Sequence, residues 1–547
     1  MIHDAAILWI VLSLAASTAA TAAAPSPPGA SRYEDLVSFF KDWRAFQKPR
    51  VVEGIPHYNA GAMGAQQHAL ETYKKRLAAI DPSGWPIPQQ VDYQIVRAEV
   101  NGLDFDHRVL RPWANNPAFY VTVFGEESDQ PAREGPFAAG AIELWSYTFP
   151  LSAADAEAIR PRLRAIPGLF AQAKVNLTGN GKDLWTYGAK ALRAQSDELA
   201  KLAPRLTGAG AVLANDAATA RKATDDFAAW VEAQAAAKNG PSGIGVENYD
   251  WYLKHVQLVP YTWAEEVALM ERELARAHAL LAMEELKNAK LPVQEPVAAN
   301  AAEYDRAFNA AVSEYMAFLK DHEILTVADY LDPALRARIG SFSPPPREFF
   351  SEVDYRDPEV MRTHGYHWFD KAFQVHAPPA SPIRREVLLY NIFNTRTEGH
   401  ATGWEELMMQ AGMFDARPRS RELVYVLVAE RAARALGELF LQSNRMTLEE
   451  ASAFACAATP RGWLSMKGKL VRDEQHLYLQ QPGYGTSYLI GKIEIEKLLA
   501  ERRAQLGGDF RMKAFMDDFN SRGLIPASLL RWEMTGTKFP ELEEMLR

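Results

Sequence analysis

Apolar residues recur three and four positions apart along most of this chain, the spacing that gathers them on one face of a helix. The pattern begins at Ser31-Arg32-Tyr33-Glu34, which reads as a capping box with Ser31 three residues before Glu34, and runs on through D-L-V-S-F-F-K-D-W. It returns over 68–80 and 91–101. The alanine-rich stretch 183–237 has few breakers beyond Gly188 and the 204–210 region, and predicts two or three long packed helices. Residues 263–287 predict another, whose alternating charges read as a solvated face. Further helices are predicted over 384–411, 419–442, 448–458, 467–479 and 487–506, with a loop at 480–485. Only Y-V-T-V-F at 120–124 has strand character. The fold class expected is all-α with few short strands: a large two-lobed helical body with a central cleft.

Proline-rich punctuation at 343–347 and 377–382 divides the pattern. The organisation expected is one helical domain over 32–547, with an N-terminal half at about 32–345 and a site-bearing C-terminal half at about 346–547. Ahead of it, an apolar run and a small-residue A-T-A-A-A segment at 1–24 read as a secretory signal peptide, joined by a P-S-P-P-G-A-S linker at 25–31. The alternative for that segment is an uncleaved membrane anchor. A periplasmic or secreted location follows.

Composition narrows the function. The net charge is −9 over 547 residues, with both signs mixed and no basic patch, which argues against nucleic acid as a partner. The single cysteine, Cys456, sits in A-F-A-C-A-A and reads as core. The densest polar chemistry lies at 394–412, N-T-R-T-E-G-H-A-T-G-W-E-E-L-M-M-Q-A-G, which carries Glu398, His400, Glu405 and Glu406. His364 and His367 precede it in T-H-G-Y-H-W-F-D. On a helix Glu398 and Glu405 share a face, while His400 points the other way. His364 and His367, three apart, can both face one metal if 363–371 is helical. Two imidazoles and a carboxylate leave a coordination position open for water.

Several blocks resemble the bacterial domain-of-unknown-function 885 family, which is similar to helical zinc metallopeptidases. They are E-G-H-A-T-G-W-E-E-L from Glu398, R-A-A-R-A-L-G-E from Arg431, and L-Y-L-Q-Q-P-G-Y-G-T-S-Y-L-I-G-K from Leu477. G-V-E-N-Y-D-W-Y-L-K-H from Gly245 and the opening helix extend the likeness over most of the chain. The departures are concentrated at polar positions. The family's H-E-x-x-P-G-H-H motif is replaced near Gly365 by T-H-G-Y-H-W-F-D. A family tryptophan is His400, a family histidine is Gln442, and the glutamine of P-G-Q is Tyr484.

The resemblance implies an exported, zinc-dependent hydrolase acting on a peptide or small amide or ester. The expected metal ligands are His364, His367 and Glu398. Asp370 or Glu405 would serve as base, Tyr484 and Tyr488 would stabilise an oxyanion, and His400 would be a further catalytic group. The alternative is a diverged member without metal, binding or transforming a small molecule by His/Glu acid–base chemistry, with His400 and Glu405 lining its cavity.

Overall fold

The structure is a computed structural model that describes residues 31–206 and 210–547. The signal peptide expected at 1–24 and residues 25–30 of the linker lie outside the described residues. The fold is all-α, as the apolar spacing predicts. Among the described residues, strands are confined to two two-stranded pairs, Val51–Val52 with Ile55–Pro56 and Val123–Phe124 with Ile142–Glu143. No helix among them is long and apolar enough to cross a membrane.

Two apolar clusters account for most of the core. One is built from Ala153–Asn176, Lys182–Arg205 and Ala211–Ala235, which pack together around Trp185, Leu192 and Phe227. The other joins the first helices, Tyr33–Phe46 and Ile87–Phe105, to the C-terminal third through Trp43, Phe105, Trp404 and Trp532. The core therefore follows contacts between distant segments and not the midpoint of the chain.

Several local expectations change. The first helix starts at Tyr33, and its cap is Arg32, whose N–H donates to Asp35 at 3.0 Å; Ser31 instead accepts from Asp81 N–H. The strand-like 120–124 run yields only Val123–Phe124, because Pro117–Tyr120 winds as a 3₁₀ turn. Trp263–Lys287 is not a purely solvated charged helix. Its Glu266, Glu273 and Glu284 are buried, and Glu273 is held by Arg276 at 2.8 Å. The 384–411 helix begins only at Asn394, since Tyr390 and Asn391 adopt left-handed backbone at φ 57° and 48°.

Candidate metal centre

Helix Asn394–Gln410 is unusual because it is polar yet buried along almost its whole length. A buried polar group without a partner costs free energy, so each of these side chains demands one. Two glycines let the helix into the interior. A Cβ on Gly399 would lie 2.3 Å from Gly491 Cα, and one on Gly491 would lie 2.0 Å from the Thr395 carbonyl oxygen. The backbones of Asn394–Gln410 and Tyr484–Leu506 thus touch where only glycine fits, which brings Tyr484 against Glu398.

The three glutamates of the helix then part company. Glu405 takes both its oxygens to Arg431, at 2.7 and 2.9 Å. Glu406 does the same with Arg276, at 2.8 and 2.8 Å, and meets Lys492 at 3.2 Å. Glu398 has no lysine or arginine partner among the described residues. It receives the Tyr484 hydroxyl at 2.5 Å and the Gln130 amide at 2.9 Å, and lies 3.3 Å from His367 Nε2.

The histidines arrive from two helices. Pro358–His364 ends at Gly365 and Tyr366–His376 begins directly after, so the expected 363–371 helix is broken between His364 and His367. A Cβ at Gly365 would meet Leu335 Cδ1 at 2.6 Å, which keeps this joint tight. The two rings still face each other at 5.0 Å between centroids. One donor atom from each of His364, His367 and Glu398 lies within 4.8 Å of the others.

The donor set fits a zinc ion. Two histidines and a glutamate are a familiar zinc ligand combination. His367 Nε2 is buried and without a hydrogen-bond partner, so it is an orphan facing the carboxylate. His364 Nδ1 lies 2.9 Å from Glu405 Oε1 and 3.1 Å from Arg431 Nη2, so two outer-shell groups hold the ring from that side.

Electrostatics agree with a charged, closed site. Burial pushes the Glu398 carboxyl up, but His367, His364 and Tyr484 outweigh it and hold it down at about 2. Burial pulls His367 down, yet Asp129 and Glu398 outweigh it and hold it up at about 9. His364 is lowered, by burial first and the Arg431 guanidinium second. The protonated His367 imidazole thus sits against the ionised Glu398 carboxylate, and metal uptake would release that proton.

The remaining expected site residues are dispersed. Asp370 is buried and bidentate to Arg396, at 2.9 and 3.0 Å, so neither oxygen is free to act as base. Glu405 is committed to Arg431 and His364 in the same way. His400 lies in an aromatic nest of Tyr366, Trp404 and Phe519, with both ring nitrogens unpartnered. Burial, with Arg396 and His367 nearby, holds its pKa well below the usual histidine value. It fills space where the resemblance expects tryptophan. Neither His400 nor Glu405 lines the cavity described below. Tyr488 stacks edge-on to Tyr484 at 5.8 Å and lies under Arg434. Gln442, at the missing histidine's position, donates to the carbonyls of Tyr478 and Leu479 and is structural.

Two residues at the centre escape sequence reasoning. Gln130 and Glu134 come from the loop E-E-S-D-Q-P-A-R-E-G after strand Val123–Phe124. Gln130 is buried, bonds Glu398 and Thr397, and lies 3.2 Å from His367 Nδ1. Glu134 lies 3.5 Å from the Tyr484 hydroxyl, and burial, with Asp129 and Glu398 nearby, pushes its carboxyl up to about 7. The only sequence signal was a polar loop bounded by proline and glycine, which is too common to single out.

Comparisons with known proteins match the sequence to one family and the fold to solved structures. The family described as "Bacterial protein of unknown function (DUF885)" matches residues 51–396 and 365–534. A candidate lipoprotein of unknown function from Shewanella oneidensis has a similar solved structure, with a TM-score of 0.68 at 14% identity, covering 92% of this chain and 100% of that one. A candidate lipoprotein from Colwellia psychrerythraea gives a TM-score of 0.64 at 15% identity, covering 94% of this chain and 98% of that one. At such identities the likeness shows the fold. No curated protein matches.

Proposed function

The chain belongs to the DUF885 family of bacterial proteins of unknown function, and from that premise we propose that it is an exported metal-dependent hydrolase of peptides or small amides or esters. One observation carries the reading: donor atoms of His364, His367 and Glu398, from three helices, converge within 4.8 Å. Export is supported by the signal-like N-terminal sequence and by structural neighbours described as candidate lipoproteins.

His364, His367 and Glu398 would hold the ion, with Glu405 orienting His364 from behind. A zinc ion in such a site supplies Lewis acidity that polarises a substrate carbonyl. Glu134 replaces Asp370 and Glu405 as the base, because it is the nearby carboxyl with no lysine or arginine ion pair and a pKa near 7. It accepts a proton from the attacking water and returns it to the leaving group. Tyr484, whose hydroxyl already points at Glu398 and Glu134, donates a hydrogen bond to the developing oxyanion.

The metal-free alternative needs His400 and Glu405 on a cavity wall, and the burial of both counts against it. The test is elemental analysis of the purified protein followed by amide turnover of Glu134→Gln. The expected result is about one zinc per chain in both proteins, with turnover lowered about 100-fold or more in the variant. Full turnover by Glu134→Gln, or no stoichiometric metal in the wild type, would overturn the proposal.

A further inference from the structure

Beside this centre is a cavity of about 470 Å³ that has Asp106 in its lining. Its walls share three segments with the metal centre. The loop that brings Gln130 and Glu134 to the histidines also gives Arg133 and Gly135 to the cavity. Gln481, three residues before Tyr484, accepts from Gly135 N–H at 2.6 Å and from Asn391 at 3.2 Å. Asn391 in turn precedes by three residues the helix that carries Glu398.

The cavity is built from irregular backbone. Helix Ile87–Phe105 ends in a π-helical turn, Asp106–Leu110, and Val246–Tyr252 ends in another, Leu253–Gln257. Such turns are rare and concentrate at functional sites. Tyr390, held at φ 57°, presses its ring on Gly102, where a Cβ would lie 2.4 Å away. Strained backbone at a cavity wall is stored for a purpose other than packing.

Asp106 has the only carboxyl group among the lining residues, and among the described residues its side chain makes no hydrogen bond and no ion pair. Burial alone pushes its carboxyl up to about 8. The wall also carries Arg44, Arg133 and Lys48. Arg44 is held by Glu99 at 3.0 Å and by the Val387 carbonyl at 2.7 Å. Arg133 lies over the Phe124 and Trp145 rings. Lys48 is exposed. Tyr252 and Tyr390 line the same cavity; burial first and Asp106 second raise both phenols, and among the described residues the hydroxyl of Tyr390 has no hydrogen-bond partner. Trp113 and Phe119 complete an aromatic surface.

An unpaired carboxyl among aromatic rings is complementary to an organic cation, which gains both a counter-ion and ring faces. We propose that this cavity binds a cationic nitrogen on an apolar stem, of the kind carried by lysine and arginine side chains, with Asp106 as its counter-ion. The inference deepens the hydrolase reading by assigning the substrate class, but the binding itself requires no metal.

The test is calorimetric titration of the full chain, as purified, with Nα-acetyl-lysine methylamide and with Nα-acetyl-norleucine methylamide, which lacks the ammonium group. The expected result is at least tenfold tighter binding of the lysine compound, reduced to parity by Asp106→Asn. Tyr390→Phe should lower the lysine preference severalfold, and it keeps the wall testable if Asp106→Asn fails to fold. Equal binding of the two compounds by the wild type, or no binding of either, overturns the inference. So does a lysine preference that survives Asp106→Asn. Zinc content measured on the same samples separates the two claims. Lysine selectivity without zinc contradicts only the hydrolase reading, and zinc without selectivity contradicts only this inference.

Discussion

Glu398 and Asp106 are both carboxyl groups without a lysine or arginine partner among the described residues, yet their surroundings differ completely. Glu398 is packed among two histidines, a tyrosine hydroxyl and an amide, with donor atoms converging on one point. Asp106 faces open volume and aromatic rings, with no polar partner. The first setting suits a small dication that accepts several short bonds. The second suits a larger organic cation. An absent counter-charge thus says that something is to be bound, and the neighbouring atoms say what.

The comparison breaks most visibly where a carboxylate does own a permanent cation. Arg431→Met leaves Glu405 buried with His364 as its remaining partner, and is expected to destabilise the fold by about 3–5 kcal/mol in urea unfolding. Loss of under about 1 kcal/mol would mean that Glu405 is not the fixed outer-shell group described here. Glu398→Gln takes no partner from any lysine or arginine. It should weaken zinc binding about 100-fold, or about 2.7 kcal/mol, with far less loss of stability. Glu405→Gln, one shell out, should weaken zinc about tenfold by competition with a chromophoric chelator.

Asp106→Asn sharpens the other side of the comparison. The folded-state pKa of Asp106 lies above its unfolded value, so the folded protein keeps a proton that the unfolded chain loses above about pH 4. Stability from this group is present at low pH and lost as pH rises toward about 8. The variant should therefore equal the wild type near pH 4 and become the more stable of the two as pH rises toward 8. Parallel stability curves would show that Asp106 is solvated or paired. The smallest effect is expected at His400→Phe, which removes two unpartnered nitrogens from an aromatic nest. Stability should change by under about 1 kcal/mol, with zinc affinity unaltered.

Much of this was legible in the order of residues. Helical spacing gave the fold class. His364, His367 and Glu398 lie close together, but the helix expected over 363–371 is broken at Gly365, so a joint between two helices and not i, i+3 spacing sets the two rings against each other. What the spacing could not carry was the choice among equivalent polar groups. Glu398, Glu405 and Glu406 look alike in sequence, and only the arrival of Arg431 and Arg276 from distant helices separates them. Asp370 read as a free base until Arg396 claimed it. Gln130 and Glu134 reach the centre through a loop with no periodicity. Asp106 and Tyr390 depend on π-helical turns and left-handed backbone, which no apolar pattern encodes.

The central claim is that Glu398, alone among the three helix glutamates, completes a metal site with His364 and His367. Calorimetric titration of zinc into chelator-treated protein, run beside Glu398→Ala and Glu406→Ala, tests it directly, with circular dichroism confirming that each variant is folded. The account predicts one zinc per wild-type chain, affinity lost by about 100-fold or more in Glu398→Ala, and change within about threefold in Glu406→Ala. No stoichiometric zinc in the wild type, or equal affinity in folded Glu398→Ala, would contradict it.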